Sequence, residues 1–142
     1  MNLDRYKINL NKFSSENLGS LFVLDKLETP FVPQRVFFVH NVPQNSHRGV
    51  HAHKLCKQLL IVTEGKVKIL IDDGFSRDYL IVDNPQVAIL IPEMTWSTQL
   101  TISKSSTVCV LASHAFDKED YFYNYDDFKF ALSQLDNGQK VT

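Results

Sequence analysis

Residues Leu59–Val82 read LLIVTEGKVKILIDDGFSRDYLIV, and this stretch decides the fold class. Leu59–Val62 is a compact run of branched apolar residues, which is typical of a buried strand. Val67–Ile71 places apolar residues at every second position, so one face of a strand is apolar. Asp72–Gly74 then supplies a turn, and Tyr79–Val82 is the next strand-like run. The stretch therefore predicts three strands in close succession.

The same pattern extends in both directions along the chain. Further short strands are predicted, namely Val36–His40, Ala88–Ile91, Thr98–Thr101 and Thr107–Ala112. Strands at this spacing, separated by turn residues, indicate an all-β sandwich or closed barrel, and 142 residues (1–142) suit a single domain.

A helical pattern is confined to the C-terminal end. Acidic residues Asp126 and Asp127 suit the start of a short helix, and Asp136–Gly138 is expected to end it. The preceding aromatic run Tyr121–Tyr125 is expected to pack this helix onto the strands, and residues 139–142 are expected to form a frayed end.

Composition narrows the classes of partner. Fifteen basic and sixteen acidic residues leave a net charge of −1, which predicts no nucleic-acid surface and no anionic-membrane surface. A small anionic substrate needs only two or three cations, so it stays open. Two cysteines are too few for a disulfide framework, the N-terminus is polar, and no apolar run approaches the roughly 20 residues of a membrane span. A cytoplasmic location is expected.

The stretch RGVHAH at residues 48–53 carries two histidines two positions apart. On a strand, this spacing places the imidazoles of His51 and His53 on the same face. Such a pair binds metal or moves protons, although alone it also fits a solvated face. Four residues then separate His53 from Gln58, and six separate Gln58 from Gly65.

These intervals resemble the first cupin motif, and Pro92–Ser97 resembles the second. The resemblance implies a cupin-type jelly-roll β-barrel with a short C-terminal helix. Two of the usual metal ligands are replaced, one by Gln58 and one by Ser97. Two imidazoles and a neutral amide make a poor site for a transition metal, so no metal is expected and the histidines are interpreted as acid/base groups. A metal-dependent cupin oxygenase is the alternative.

Matched segments along nearly the whole chain resemble one cupin family, the dTDP-4-keto-6-deoxyglucose 3,4-ketoisomerases of bacterial deoxysugar biosynthesis. The resemblance is carried by 18–21 (LGSL), 30–38 (PFVPQRVFF), 48–54 (RGVHAHK), 58–60 (QLL), 70–74 (LIDDG), 92–96 (PEMTW), 110–113 (VLAS) and 120–128 (DYFYNYDDF).

What the resemblance implies is an isomerase that acts on a dTDP-linked keto sugar without a cofactor. It also implies a homodimer with exchanged N-terminal strands, for which Tyr6–Leu10 is the candidate segment. Moving a ketone from C4 to C3 passes through an enediol and needs groups that take and give protons near neutral pH, which suits histidine.

The candidate catalytic residues are His51, His53 and Arg48. His51 is expected to act at carbon and His53 at oxygen, with the reverse order open. Arg48 and Arg35 are candidates for the diphosphate, because guanidinium groups pair with phosphate oxygens, and Arg48 alternatively stabilises the enediolate.

Further substrate-binding candidates have structural alternatives. Gly19 and Ser20 offer donors to a phosphate or form a plain turn, and Lys54 adds a cation beside the histidines. Gln58 either holds an imidazole tautomer or is a satisfied polar group. Trp96 either lines the sugar pocket or belongs to the core.

Departures from the family pattern occur at four positions. The family often has tyrosine where this chain has Phe37 and Phe38, arginine at Leu18, and histidine at Ser97. These changes leave the two histidines intact, but they keep open a third hypothesis, a non-catalytic module that binds sugar nucleotides.

Overall fold

The chain forms short antiparallel strands followed by one helix. The computed structural model describes residues 1–26 and 28–138, so the predicted frayed end at 139–142 lies outside the described residues. The strands are β1 (Lys7–Asn9), β2 (Asn11–Ser15), β3 (Gly19–Val23), β4 (Arg35–Pro43), β5 (His47–His53), β6 (Gln58–Glu64), β7 (Val67–Asp72), β8 (Arg77–Val82), β9 (Val87–Ile91), β10 (Trp96–Thr101), β11 (Ser105–Ala112) and β12 (Tyr121–Phe122), and the helix is α1 (Tyr125–Asp136).

Hydrogen bonds join the strands into two five-stranded antiparallel sheets. The first sheet has the order β1-β9-β6-β11-β4, and the second has the order β12-β5-β10-β7-β8. Strands β2 and β3 form a separate hairpin. The predicted all-β, cupin-like architecture with one C-terminal helix is thereby confirmed, and the strand order describes it as two facing sheets.

The core lies between the inner faces of the two sheets. Val67, Ile69 and Ile71 of β7 are fully buried there, as the period-two alternation predicts, and they meet Leu60 and Val62 of β6. Burial of each such side chain contributes roughly 1.5–3 kcal/mol. The core therefore determines which face of each strand points inward. On β5, the same alternation determines the direction of the histidine side chains.

Helix α1 covers the outer face of the second sheet. The side chain of Asn124 caps its first turn by accepting from the amides of Asp126 and Asp127. Phe128 packs with Trp96 and Ala52 in a separate buried cluster. Within the described residues, no helix is long and apolar enough to cross a bilayer.

The architecture bears on two sequence-based expectations, those for Trp96 and for the segment Tyr6–Leu10. Trp96 belongs to the cluster beneath α1 and does not line the pocket, because its neighbour Ser97, directly opposite His51, takes the inner face of β10. The Tyr6–Leu10 segment, predicted as the candidate for exchange, is paired within its own chain in this structure. Tyr6 ends a short 3-10 helix and is buried, and Lys7–Asn9 pairs with β9 of the same chain.

Candidate active site

The two histidines face the interior from the end of strand β5. Ser97 on β10 lies opposite His51, and Tyr121 on β12 lies opposite His53. The Nε2 atoms of the two imidazoles are 3.1 Å apart. The prediction that His51 and His53 share one face of a strand is confirmed.

A buried carboxylate holds the inner histidine. The Nδ1 atom of His53 lies 2.8 Å from Oδ2 of Asp120, with His53 only 3% exposed and Asp120 9% exposed. Both oxygens of Asp120 also accept backbone N–H groups, from Leu55 at 2.7 Å and from Cys56 at 3.3 Å. Asp120, His53 and His51 therefore form a continuous hydrogen-bonded chain, which we call the relay.

The relay fixes the tautomer of each imidazole. Because Asp120 acts only as an acceptor, the proton of its bond to His53 resides on Nδ1 of His53. Nε2 of neutral His53 is then an acceptor, so Nε2 of His51 is the donor. Nδ1 of His51 is left with a lone pair and no hydrogen-bond partner among residues 1–26 and 28–138. His51 is thus a base with a defined reactive atom.

The surroundings keep both imidazoles neutral. Burial lowers the pKa of His51 to about 4, with additional lowering from His53 and from the Arg35 guanidinium. Burial also lowers the pKa of His53, while the bond and charge of Asp120 act in the opposite direction. A neutral His51 at pH 7 is a competent base without prior deprotonation.

The lowered pKa of His51 predicts an acid-sensitive fold. Between pH 6.5 and about 4 the unfolded chain takes up a proton at His51 that the folded chain does not. The free energy of unfolding should therefore fall by roughly 1–3 kcal/mol as the pH decreases through this window. Urea titrations at successive pH values measure the slope. His51→Asn should flatten it, and an unchanged slope in that variant would contradict the assignment.

Aromatic and cationic side chains surround the histidine pair. The ring of Tyr121 lies 4.3 Å from that of His53 and 5.0 Å from that of His51, centroid to centroid. Tyr123 stacks on the outer side of Tyr121 at 5.2 Å. Arg35 on β4 donates to the Tyr121 hydroxyl at 3.4 Å and lies over the Phe37 ring at 5.3 Å. Of the two predicted arginines, Arg35 is the one whose charge acts on the imidazoles.

The other predicted residues of β5 and β6 lie at different places. Arg48 is exposed and lines a surface groove with Phe38 and His47. Lys54 follows His53, and its ammonium lies over the ring of Phe122 at 5.4 Å. Gln58 is buried at the start of β6, but the tautomer of His53 is set by Asp120.

Gly19 and Ser20 lie outside the sheets that form the site. Both belong to β3 of the separate hairpin, where Ser20 Oγ bonds Ser14 Oγ at 2.9 Å. Gly19 has a φ of +74°, which favours glycine. Within the described part of one chain, these two residues are not brought to the histidine pair by strand pairing.

One group of side chains has donor atoms close enough to be considered for a metal. Ligand atoms of His53, Cys56 and Asp120 lie within 4.8 Å of one another, and all three residues are buried. However, Asp120 already accepts from His53 and from two backbone amides. This arrangement suits a carboxylate that orients an imidazole better than one that is offered to a cation.

Comparison with known proteins places the chain in a family. The family described as FdtA: WxcM-like, C-terminal matches residues 4–133. The chain belongs to this family. The resemblance inferred from the sequence motifs is thereby confirmed.

Relatives of this FdtA-family chain are named for one reaction. A curated relative from Aneurinibacillus thermoaerophilus, TDP-4-oxo-6-deoxy-alpha-D-glucose-3,4-oxoisomerase, is 29% identical over 121 residues, covering 84% of this chain and 87% of the relative. The WlaRB TDP-quinovose 3,4-ketoisomerase from Campylobacter jejuni is 32% identical with a TM-score of 0.81, covering 87% and 95% of the two chains. QdtA, a sugar 3,4-ketoisomerase from Thermoanaerobacterium thermosaccharolyticum solved with TDP, is 27% identical with a TM-score of 0.84, covering 91% and 94%.

Sequence reasoning assigned no catalytic or binding role to Asp120 or Tyr121. Asp120 lies 67 positions from His53, in an acidic segment that is indistinguishable from a solvated loop. Tyr121 was expected to pack the helix, but in the described part of the chain Phe122 and Tyr125 are the members of the aromatic run that pack in the cluster beneath it. Period-two alternation in Tyr121–Phe122 was the available signal, because it sends adjacent rings to opposite faces.

Proposed function

We propose that this FdtA-family protein is a TDP-4-keto-6-deoxyglucose 3,4-ketoisomerase. The observation that carries the proposal is the relay, which ends at an unprotonated nitrogen of His51 in a neutral, half-buried imidazole. The names of the relatives supply the substrate class, a TDP-linked keto sugar. A keto shift between neighbouring carbons needs a base that returns the proton it takes, and the relay provides one.

His51 acts at both carbons of the reaction. Its Nδ1 atom removes the proton from C3, and the electrons of that bond form the C3–C4 double bond of the enediol. The resulting imidazolium is stabilised through His53 by the charge of Asp120. In the same step the C4 oxygen gains a proton. His51 then gives a proton to C4 while the C3 hydroxyl loses its proton and becomes the ketone, so the proton gained at one oxygen balances the proton lost at the other.

Three cationic side chains are proposed to bind the negative charges of the substrate. Arg35 lies beside the histidine pair, where it donates to Tyr121. Arg48 lies on the same strand three positions before His51, and Lys54 directly follows His53 with its ammonium over the ring of Phe122. We assign these side chains to the negative charges of the diphosphate and of the enediolate, since guanidinium and ammonium groups both pair with such oxygens.

Incubation with TDP-4-keto-6-deoxyglucose in deuterated water tests the proposal. NMR should show the carbonyl moving from C4 to C3, with deuterium entering at C4 to the extent that the imidazolium N–H of His51 exchanges with solvent before the proton is delivered. Binding of TDP without any turnover would instead identify a non-catalytic module. Turnover that a chelator abolishes and added metal restores would identify a metal-dependent cupin.

We also propose that two chains assemble through their N-terminal regions. The hairpin β2–β3 exposes large apolar side chains, with Phe13 62% and Leu18 87% exposed. On the outer face of β4, Phe38 is 65% exposed, and β4 is a nine-residue strand at the edge of its sheet. An exposed apolar edge favours pairing with another chain, and the hairpin of a second copy fits it. Exchange of the β2–β3 hairpins between two chains would place the hairpin of each chain beside β4, at the edge of the partner's first sheet.

Light scattering at micromolar concentration should give about twice the chain mass of 16.3 kDa. Phe38→Glu should shift the protein toward the monomer, because it places a charge on the proposed contact. Phe75→Glu is the matched control, since Phe75 is 77% exposed but lies in the β7–β8 turn. A wild-type mass near 16 kDa would contradict the assembly.

A further inference from the structure

The reaction needs a proton donor at the sugar oxygens, and the relay does not offer one. Both ring nitrogens of His53 are engaged within the protein, Nδ1 with Asp120 and Nε2 with His51. His51 is committed to carbon through its free Nδ1 atom. The proton transfer at oxygen that the sequence assigned to His53 must therefore be carried out by another group.

Tyr121 is placed to meet that need. Strand β12 pairs with β5 so that Tyr121 lies opposite His53. Its ring contacts both imidazoles, at 4.3 Å and 5.0 Å between centroids, whereas Phe122 turns to the cluster beneath α1. The phenol is thus on the imidazole face of the second sheet.

The Tyr121 hydroxyl is oriented by a cation. Arg35 Nη1 donates to the phenolic oxygen at 3.4 Å. Because the guanidinium can only donate, the proton of the phenol remains free to be donated elsewhere. The charge of Arg35 also stabilises the phenolate that forms when this proton leaves. The ring of Phe37 lies on the same guanidinium but carries no hydroxyl.

We propose that Tyr121 is the catalytic acid and base at the sugar oxygens, acting with Arg35; this inference rests on the proposed ketoisomerase function. When His51 takes the C3 proton, the phenol gives its proton to the C4 oxygen and the enediol forms. In the second half, the phenolate takes the proton from the C3 hydroxyl while His51 returns a proton to C4. Each group ends the cycle as it began, and the ketone has moved by one carbon.

The test is Tyr121→Phe, which keeps the ring and removes only the hydroxyl. Turnover should fall roughly 10²–10³-fold, while TDP affinity and melting temperature stay near the wild-type values. Tyr79→Phe is the matched control, because Tyr79 is exposed on β8, at the opposite edge of the second sheet from β12.

The results distinguish a failure of the Tyr121 assignment from a failure of the proposed ketoisomerase function. Wild-type turnover in Tyr121→Phe, or an equal loss in Tyr79→Phe, would overturn the assignment and leave the ketoisomerase function standing. A wild-type protein that does not isomerise the sugar would instead overturn the proposed function. A second variant adds an independent arm: Phe37→Tyr should change turnover by less than roughly twofold, because the oxygen already has a donor. A tenfold acceleration would contradict the proposal.

Discussion

His51→Asn should lower turnover by roughly 10²–10⁴-fold and leave TDP affinity nearly unchanged. The free Nδ1 atom of His51 is the only base that the relay exposes, so removing it removes proton transfer at both carbons. Asparagine keeps a polar side chain of similar reach and cannot accept and return a proton. Steady-state kinetics and calorimetry with TDP measure the two effects separately.

The control for this variant is His47→Asn. His47 lies on the same strand β5 but is exposed, so the identical chemical change should leave turnover within about twofold. Exchange of the C3 proton with deuterated solvent gives a third measurement, because it reports the first half of the reaction alone. Wild-type exchange in His51→Asn would remove His51 from the carbon chemistry.

The strands and the helix could be predicted because short stretches of sequence specify each of them. Alternation in Val67–Ile71 determined which face of β7 is buried, and the same rule put His51 and His53 together. Asp126 and Asp127 marked the start of α1, and Gly138, with a φ of +76°, marked its end. Each of these signals lies within a few residues of the feature that it predicts.

The rest of the site depends on contacts between distant segments. Asp120 reaches His53 across 67 positions, and Tyr121 reaches Arg35 across 86. No local period encodes such pairs, because they depend on β12 joining β5 and on β4 lying in the opposite sheet. Trp96 was ambiguous for a related reason: its role depends on which face of β10 the helix covers.

The role of Asp120 follows from the direction of its hydrogen bonds. Every group that contacts its carboxylate is a donor: two backbone amides and Nδ1 of His53. An amide at this position would place its own N–H against one of those donors. If the amide N–H of the asparagine faces Nδ1 of His53, Nδ1 must accept. The imidazole of His53 then takes the other tautomer and becomes a donor at Nε2. Nε2 of His51 must then accept, and the proton of His51 moves to Nδ1, where the substrate needs a lone pair.

Asp120→Asn should therefore lower turnover by roughly 10²–10⁴-fold, because the wrong tautomer of His51 cannot act as a base. It should also destabilise the fold by about 1–3 kcal/mol, since a buried donor loses its acceptor. The informative readout is the ¹⁵N spectrum of the imidazoles, in which the proton of His51 should move from Nε2 to Nδ1. A merely structural carboxylate would change stability and leave that tautomer alone. Asp117→Asn is the control, because Asp117 caps the same loop from an exposed position, where its side chain accepts from the backbone amide of Glu119. Full turnover in Asp120→Asn, with the His51 proton still on Nε2, would show that the carboxylate does not direct the relay.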